Sequence, residues 1–99
     1  MKDSLLDIAQ AVTGQPDPSR AIEEALQSYV QQKIRRYRRL VARLHRKYGI
    51  SFEEFQRRLG TELPLSWEHE QDFLSWEEAL TNLAYFEKCL HQLRAHDSR

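Results

Sequence analysis

The sequence has little of what builds disulfide scaffolds, turn-rich folds or membrane spans. It holds one cysteine, Cys89, so no intrachain disulfide can form, and a lone thiol fits a reducing compartment, which points to the cytoplasm. Three glycines and three prolines are too few for the many turns of an all-β sandwich or barrel. No apolar run approaches the roughly 20 residues that a membrane-spanning helix needs. The opening MKDSLLDIAQ lacks a basic segment followed by an apolar stretch, so no secretory signal is expected there. Glycine-rich phosphate loops and nucleophile elbows are missing too. The acid pairs Glu53-Glu54 and Glu77-Glu78 stand at expected helix starts, where capping explains them. No catalytic residue and no cofactor is therefore expected. What remains is 40% apolar and 30% charged, enough for one modest core and too apolar for a disordered chain. We read residues 1–99 as a single helical domain.

Net charge is absent as well, with fifteen Lys+Arg against fifteen Asp+Glu. The balance hides segregation along the chain. Residues 33–47 carry eight bases (Lys33, Arg35, Arg36, Arg38, Arg39, Arg43, Arg46 and Lys47) and no acid, whereas residues 48–87 carry nine acids against Arg57 and Arg58. Such blocks are expected to pair, within one chain or between chains.

Helix grammar dominates. After Ser4, apolar residues at 5, 8, 9 and 12 follow helical spacing, and Gly14 ends the segment. Asp17 then caps a second helix with Pro18 at its first position. Nothing breaks that helix before Gly49, a length of roughly 45 Å at 1.5 Å per residue. Its stripe is Leu26, Val30, Ile34, Tyr37, Val41, Leu44 and Tyr48, widened by Ile22, Tyr29 and Leu40. Ser51-Phe52-Glu53-Glu54 reads as a capping box opening a short corner helix that Gly60 stops. Ser66 opens a turn of helix, and Ser75-Trp76-Glu77-Glu78, a second capping box, starts the last helix, which runs to about Ala95 before a frayed tail from His96. The expected fold is all-α: a long antiparallel helical hairpin with a short N-terminal helix and a short corner helix. Residues 33–95 are expected to form the hairpin with its corner. Two helices cannot surround so wide a stripe, so a homodimer or another partner is expected to cover the remaining edge.

Two surfaces are candidates for binding. The run KIRRYRRLVARLHRK puts Arg35, Arg36, Arg39, Arg43, Arg46 and Lys47 opposite the apolar stripe. It reads either as a face neutralised by the chain's own or a partner's acids, or as a weak nucleic-acid contact made through phosphates. The acidic segment Trp67-Glu68-His69-Glu70-Gln71-Asp72 fits no established metal-ligand spacing, and the histidines at 45, 69, 91 and 96 form no ligand pair, so no metal is expected. The same acids could receive a basic protein. Cys89, off the main stripe, reads as a partly buried thiol.

Two stretches carry a resemblance. The segment Pro18-Ser19-Arg20-Ala21-Ile22-Glu23-Glu24-Ala25-Leu26-Gln27-Ser28-Tyr29-Val30 resembles the second helix of ribbon-helix-helix proteins. The block Lys47-Tyr48-Gly49-Ile50-Ser51-Phe52-Glu53-Glu54-Phe55, with Ser66-Trp67-Glu68 through Asp72 and Trp76-Glu77, is similar to the C-terminal half of small prokaryotic antitoxin-type proteins. The resemblance implies a dimer in which residues 3–32 form the dimerising helix pair and the C-terminal part wraps and neutralises a toxin. Such dimers read DNA with a strand before the first helix, and no alternating strand precedes the first helix here. The function expected is a non-enzymatic interaction protein, antitoxin-like, acting by occlusion. Glu53, Glu54, Trp67, Glu68, Glu70, Asp72 and Trp76 would meet the partner, with the two tryptophans as anchors. The alternatives are non-specific nucleic-acid binding through the basic helix and a structural coiled-coil adaptor.

Overall fold

The computed structural model describes residues 4–97 and orders them as α1 (Leu5–Thr13), α2 (Pro18–Tyr48), α3 (Phe52–Arg58) and α4 (Trp67–Asp97). The readings that fall on residues 1–3 and 98–99 lie outside the described residues. The long antiparallel hairpin is α2 against α4, with α1 folded onto the start of α2 and α3 closing the far corner.

Local chemistry sets most of the boundaries. The Ser4 hydroxyl accepts the Asp7 N–H at 3.1 Å while the Asp7 carboxylate accepts the Ser4 N–H at 3.3 Å, a closed capping box. Asp17 accepts the Ser19 N–H at 3.1 Å ahead of Pro18. Gly49 ends α2 at φ 70°, a left-handed conformation that disfavours any residue with a Cβ, and its N–H donates to the His45 carbonyl at 2.8 Å. Ser51 caps α3 through the Glu54 N–H at 3.1 Å. The reciprocal half of that expected box does not form, because Arg57 and Arg58 take the Glu54 carboxylate instead.

The carboxyl-terminal half differs from the expectation. One helix runs from Trp67 to Asp97, past the expected end at Ala95, with no second start at Ser75. Ser66 is the cap: its hydroxyl accepts the His69 N–H at 3.1 Å and its carbonyl accepts the Glu70 N–H at 2.9 Å. No glycine or proline lies between Trp67 and Ser75, so the helix passes through the second capping signature without stopping.

Contacts across the seam mark the antiparallel register: Glu23 with His96 at 3.0 Å, Arg38 with Glu87 at 2.8 Å, and Lys47 with Asp72 at 2.6 Å. The molecule measures 62 × 31 × 16 Å with a radius of gyration of 19.1 Å. A compact chain of this length would have a radius near 13 Å. The thickness is little more than one helix with its side chains. The fold is therefore a slab, and both broad faces of its central pair are open wherever α1 or α3 does not cover them.

The core sits at the α3 corner. Leu44, Phe55 and Trp76 are fully enclosed, with Tyr48, Phe52, Phe73 and Leu80 packed on them. The rings of Phe55 and Trp76 lie 5.4 Å apart, those of Phe52 and Trp76 5.5 Å, and those of Tyr48 and Phe55 4.4 Å. Each large side chain enclosed here contributes roughly 1.5–3 kcal/mol from burial.

Candidate functional site

The acidic corner, where the sequence points to a partner, is largely occupied by the chain's own cations. Lys47, at the end of α2, reaches across the seam to Glu68 at 2.5 Å and Asp72 at 2.6 Å, and the Tyr48 hydroxyl donates to the same Asp72 carboxylate. Burial alone would raise the Asp72 carboxyl, but the hydrogen bonds from Lys47 and Tyr48 outweigh it and hold it below its ordinary value. Burial and then the bond to Asp72 push the Tyr48 phenol up to about 12. The Asp72 and then the Glu68 carboxylates hold the Lys47 ammonium above its usual range. On α3, the Arg57 and then the Arg58 guanidinium lower the Glu54 carboxyl. The contacts of Lys47 and Tyr48 with Glu68 and Asp72 make a clamp between the end of α2 and the start of α4.

Of the seven residues expected to meet a partner, three are therefore engaged within the chain: Glu54, Glu68 and Asp72. Trp76 corrects the sequence reading. It is 1% exposed inside the aromatic core and has no surface to offer as an anchor. Glu53 and Glu70 remain exposed, without an ion pair among the described residues. Trp67 is 79% exposed. The two tryptophans are nine residues apart on one continuous helix, and at about 100° per residue that spacing sets them on opposite faces.

The outer face of α4 carries more than the sequence reading found. Trp67, Leu74, Glu78, Thr81 and Tyr85 fall within about 60° of one another, diametrically opposite Trp76. Leu74 and Tyr85 are exposed together with Trp67. This row holds three exposed apolar side chains, with Glu78 and Thr81 between Leu74 and Tyr85, and is about 27 Å long at 1.5 Å per residue. A single helical phase carried from Trp67 to Tyr85 would have exposed it in the sequence. At the other end Leu5 is 85% and Val12 78% exposed on α1, and Ile8 on α1 and Ile22 and Leu26 on α2 are exposed as well. The enclosed residues on α2 near this end are smaller: Ala21, Val30 and Ile34.

The basic face divides by direction. Lys47, expected on the free side, bonds across the seam, as does Arg38. Arg36, Arg39, Arg43 and Arg46 make no ion pair among the described residues and stay exposed. They line, with Leu40 and Ala42, a shallow depression of about 540 Å³. Arg35 turns to another edge, where it shares a depression with Arg38, Glu87 and Arg94. Among the described residues no three His, Cys, Asp or Glu side chains gather where they could hold a metal ion, and no helix is long and apolar enough to cross a membrane.

Among the described residues, fold and surface define a helical slab with apolar side chains exposed on the outer face of α4 and at the α1 end, and a stripe of arginines outside its ion pairs. The chain belongs to the family described as the uncharacterized protein MJ0235 family, whose profile matches residues 1–98. No curated protein and no solved structure matches it.

Proposed function

We propose that the chain is a non-enzymatic docking protein, antitoxin-like in working by occlusion, whose outer α4 row is covered by a partner protein. The observation that carries this reading is the row itself: Trp67, Leu74 and Tyr85 exposed in line on the face opposite the core. Aromatic anchors of this kind dominate protein interfaces. Exposed Glu70 and Glu78 beside them favour a partner with a basic surface. Co-expression with the product of the adjacent gene, read by co-purification, tests it. Trp67→Ala combined with Tyr85→Ala is expected to weaken the complex at least tenfold while helicity is kept. A complex untouched by the double substitution, or none with the wild type, removes the reading.

A second copy is favoured for the other edge by the amount of surface left open. A compact monomer of 11.8 kDa exposes about 5,900 Å², whereas this chain exposes 7125 Å². The surplus, about 1,200 Å², is more than the roughly 800 Å² that one partner contributes to a standard interface. The exposed side chains of this end, Leu5, Ile8, Val12, Ile22 and Leu26, are all apolar, and an apolar surface is able to meet a second copy of itself about a two-fold axis. Such a homodimer leaves the α4 rows for the partner. One free cysteine, Cys89, is consistent with work in the cytoplasm.

A further inference from the structure

We propose that the arginine stripe of α2 binds a single strand of nucleic acid, its phosphates on Arg36, Arg39, Arg43 and Arg46 and a base on the ring of Tyr29. The two α2 cations that reach the seam each hold a carboxylate of α4: Arg38 holds Glu87, and Lys47 holds Glu68 and Asp72. The four stripe arginines have none within ion-pair distance among the described residues, although the chain has as many acids as bases. Arg43 adds to the field at Asp72 but makes no contact with it. The acids are thus drawn to one side of α2, and positive charge is concentrated on the other.

The spacing suits a backbone. Positions 36, 39, 43 and 46 advance by three, four and three residues, which keeps the guanidiniums within about 80° of arc over about 15 Å of helix. Guanidinium is the group that meets phosphate oxygens two at a time, and all four positions are Arg rather than Lys. The stripe also has an aromatic head. Tyr29 is 52% exposed, and a second depression of about 310 Å³ joins it to Gln32, Lys33, Arg36 and Arg39. Lys33 lies over one face of the Tyr29 ring, 5.3 Å from its centre, and Phe86 meets the ring edge-on at 6.4 Å, so a base stacks on the opposite face of Tyr29 or displaces the Lys33 ammonium toward a phosphate. From Tyr29 to Arg46 the helix advances about 25 Å, room for about four extended nucleotides. A paired duplex keeps its bases stacked and offers none to Tyr29, which is why a single strand is favoured. Protein docking on the outer row of α4 and strand binding on this face are separate contacts, so either can fail without the other.

The test is fluorescence anisotropy of a labelled mixed-sequence single-stranded oligonucleotide and the matching duplex, titrated with the full chain across a series of salt concentrations. Single-strand affinity is expected to fall with a log–log salt slope of about −3, the value for four neutralised phosphates. Replacing all four stripe arginines by Gln should abolish binding, with helicity checked by circular dichroism. Replacing all four by Lys should retain binding within tenfold. Arg38→Gln, which removes a cation already paired, should change affinity less than twofold, and Tyr29→Ala should weaken the single strand several-fold. No binding at low salt, tighter binding to the duplex, or equal binding by the four-Gln variant would overturn the proposal. So would a four-Gln variant that turns a dimer into a monomer, since the stripe would then be meeting the acids of a second copy.

Discussion

The two ends of the α2–α4 hairpin are closed by different means. At the corner, α3 lays Phe52 and Phe55 over Trp76, and Lys47, Glu68, Asp72 and Tyr48 clamp the rim. At the other end α1 lies against α2, the enclosed residue Ala21 is small, and Leu5, Leu6, Ile8 and Val12 of α1 stay exposed. Among the described residues, one end is finished within the chain and the other is not. An apolar stripe that two helices cannot enclose needs a third surface. Among the described residues that surface is supplied once, as α3, and the second place is open.

The sharpest way to break this contrast is to empty the finished end. Trp76→Ala removes the largest enclosed side chain, and a loss of about 3–5 kcal/mol is expected in urea unfolding. A loss below about 1 kcal/mol would mean that the corner is not what holds the fold. The caps come next. Ser66→Ala should cost about 1 kcal/mol, because the His69 N–H loses its acceptor, while Ser75→Ala should stay within about 0.5 kcal/mol. The reverse order would restore a helix start at Ser75.

Acidity probes the clamp. A carboxyl lowered on folding, such as Asp72, stabilises the fold above its unfolded value near 4, and that contribution is lost as pH falls through the lower folded value. Tyr48 and Lys47, both raised, contribute below their unfolded values near 10, and the contribution is lost as pH climbs through the folded ones. Stability should therefore be level from about pH 4 to about pH 10 and fall on both sides. In Asp72→Asn the acid limb of the unfolding profile should flatten. An unchanged acid limb would take the clamp out of the picture. The smallest effect belongs to the open end, where Val12→Ser should move the stability of the single chain by less than about 0.5 kcal/mol while weakening self-association.

Much of the fold is legible in short stretches of sequence. Asp17-Pro18 and Gly49 bound α2 through interactions within a few residues, and no tertiary contact is needed to see them. Ser75-Trp76-Glu77-Glu78 misleads because a capping box is a pattern of letters that a helix interior can also hold. Reading a start there cuts α4 in two and discards the helical phase that sets Trp67 and Trp76 on opposite faces. The candidate surfaces were harder to see for a different reason. Whether Glu68 or Arg39 is free depends on what α4 brings to α2, a pairing between residues more than twenty positions apart that no local spacing encodes.

Light scattering on the purified chain bears most directly on whether the open end is held by another chain. A mass twice the 11.8 kDa of one chain is expected, falling to a single chain in Leu26→Glu with helicity kept. A wild-type mass of one chain at every concentration, unchanged in Leu26→Glu, would contradict it.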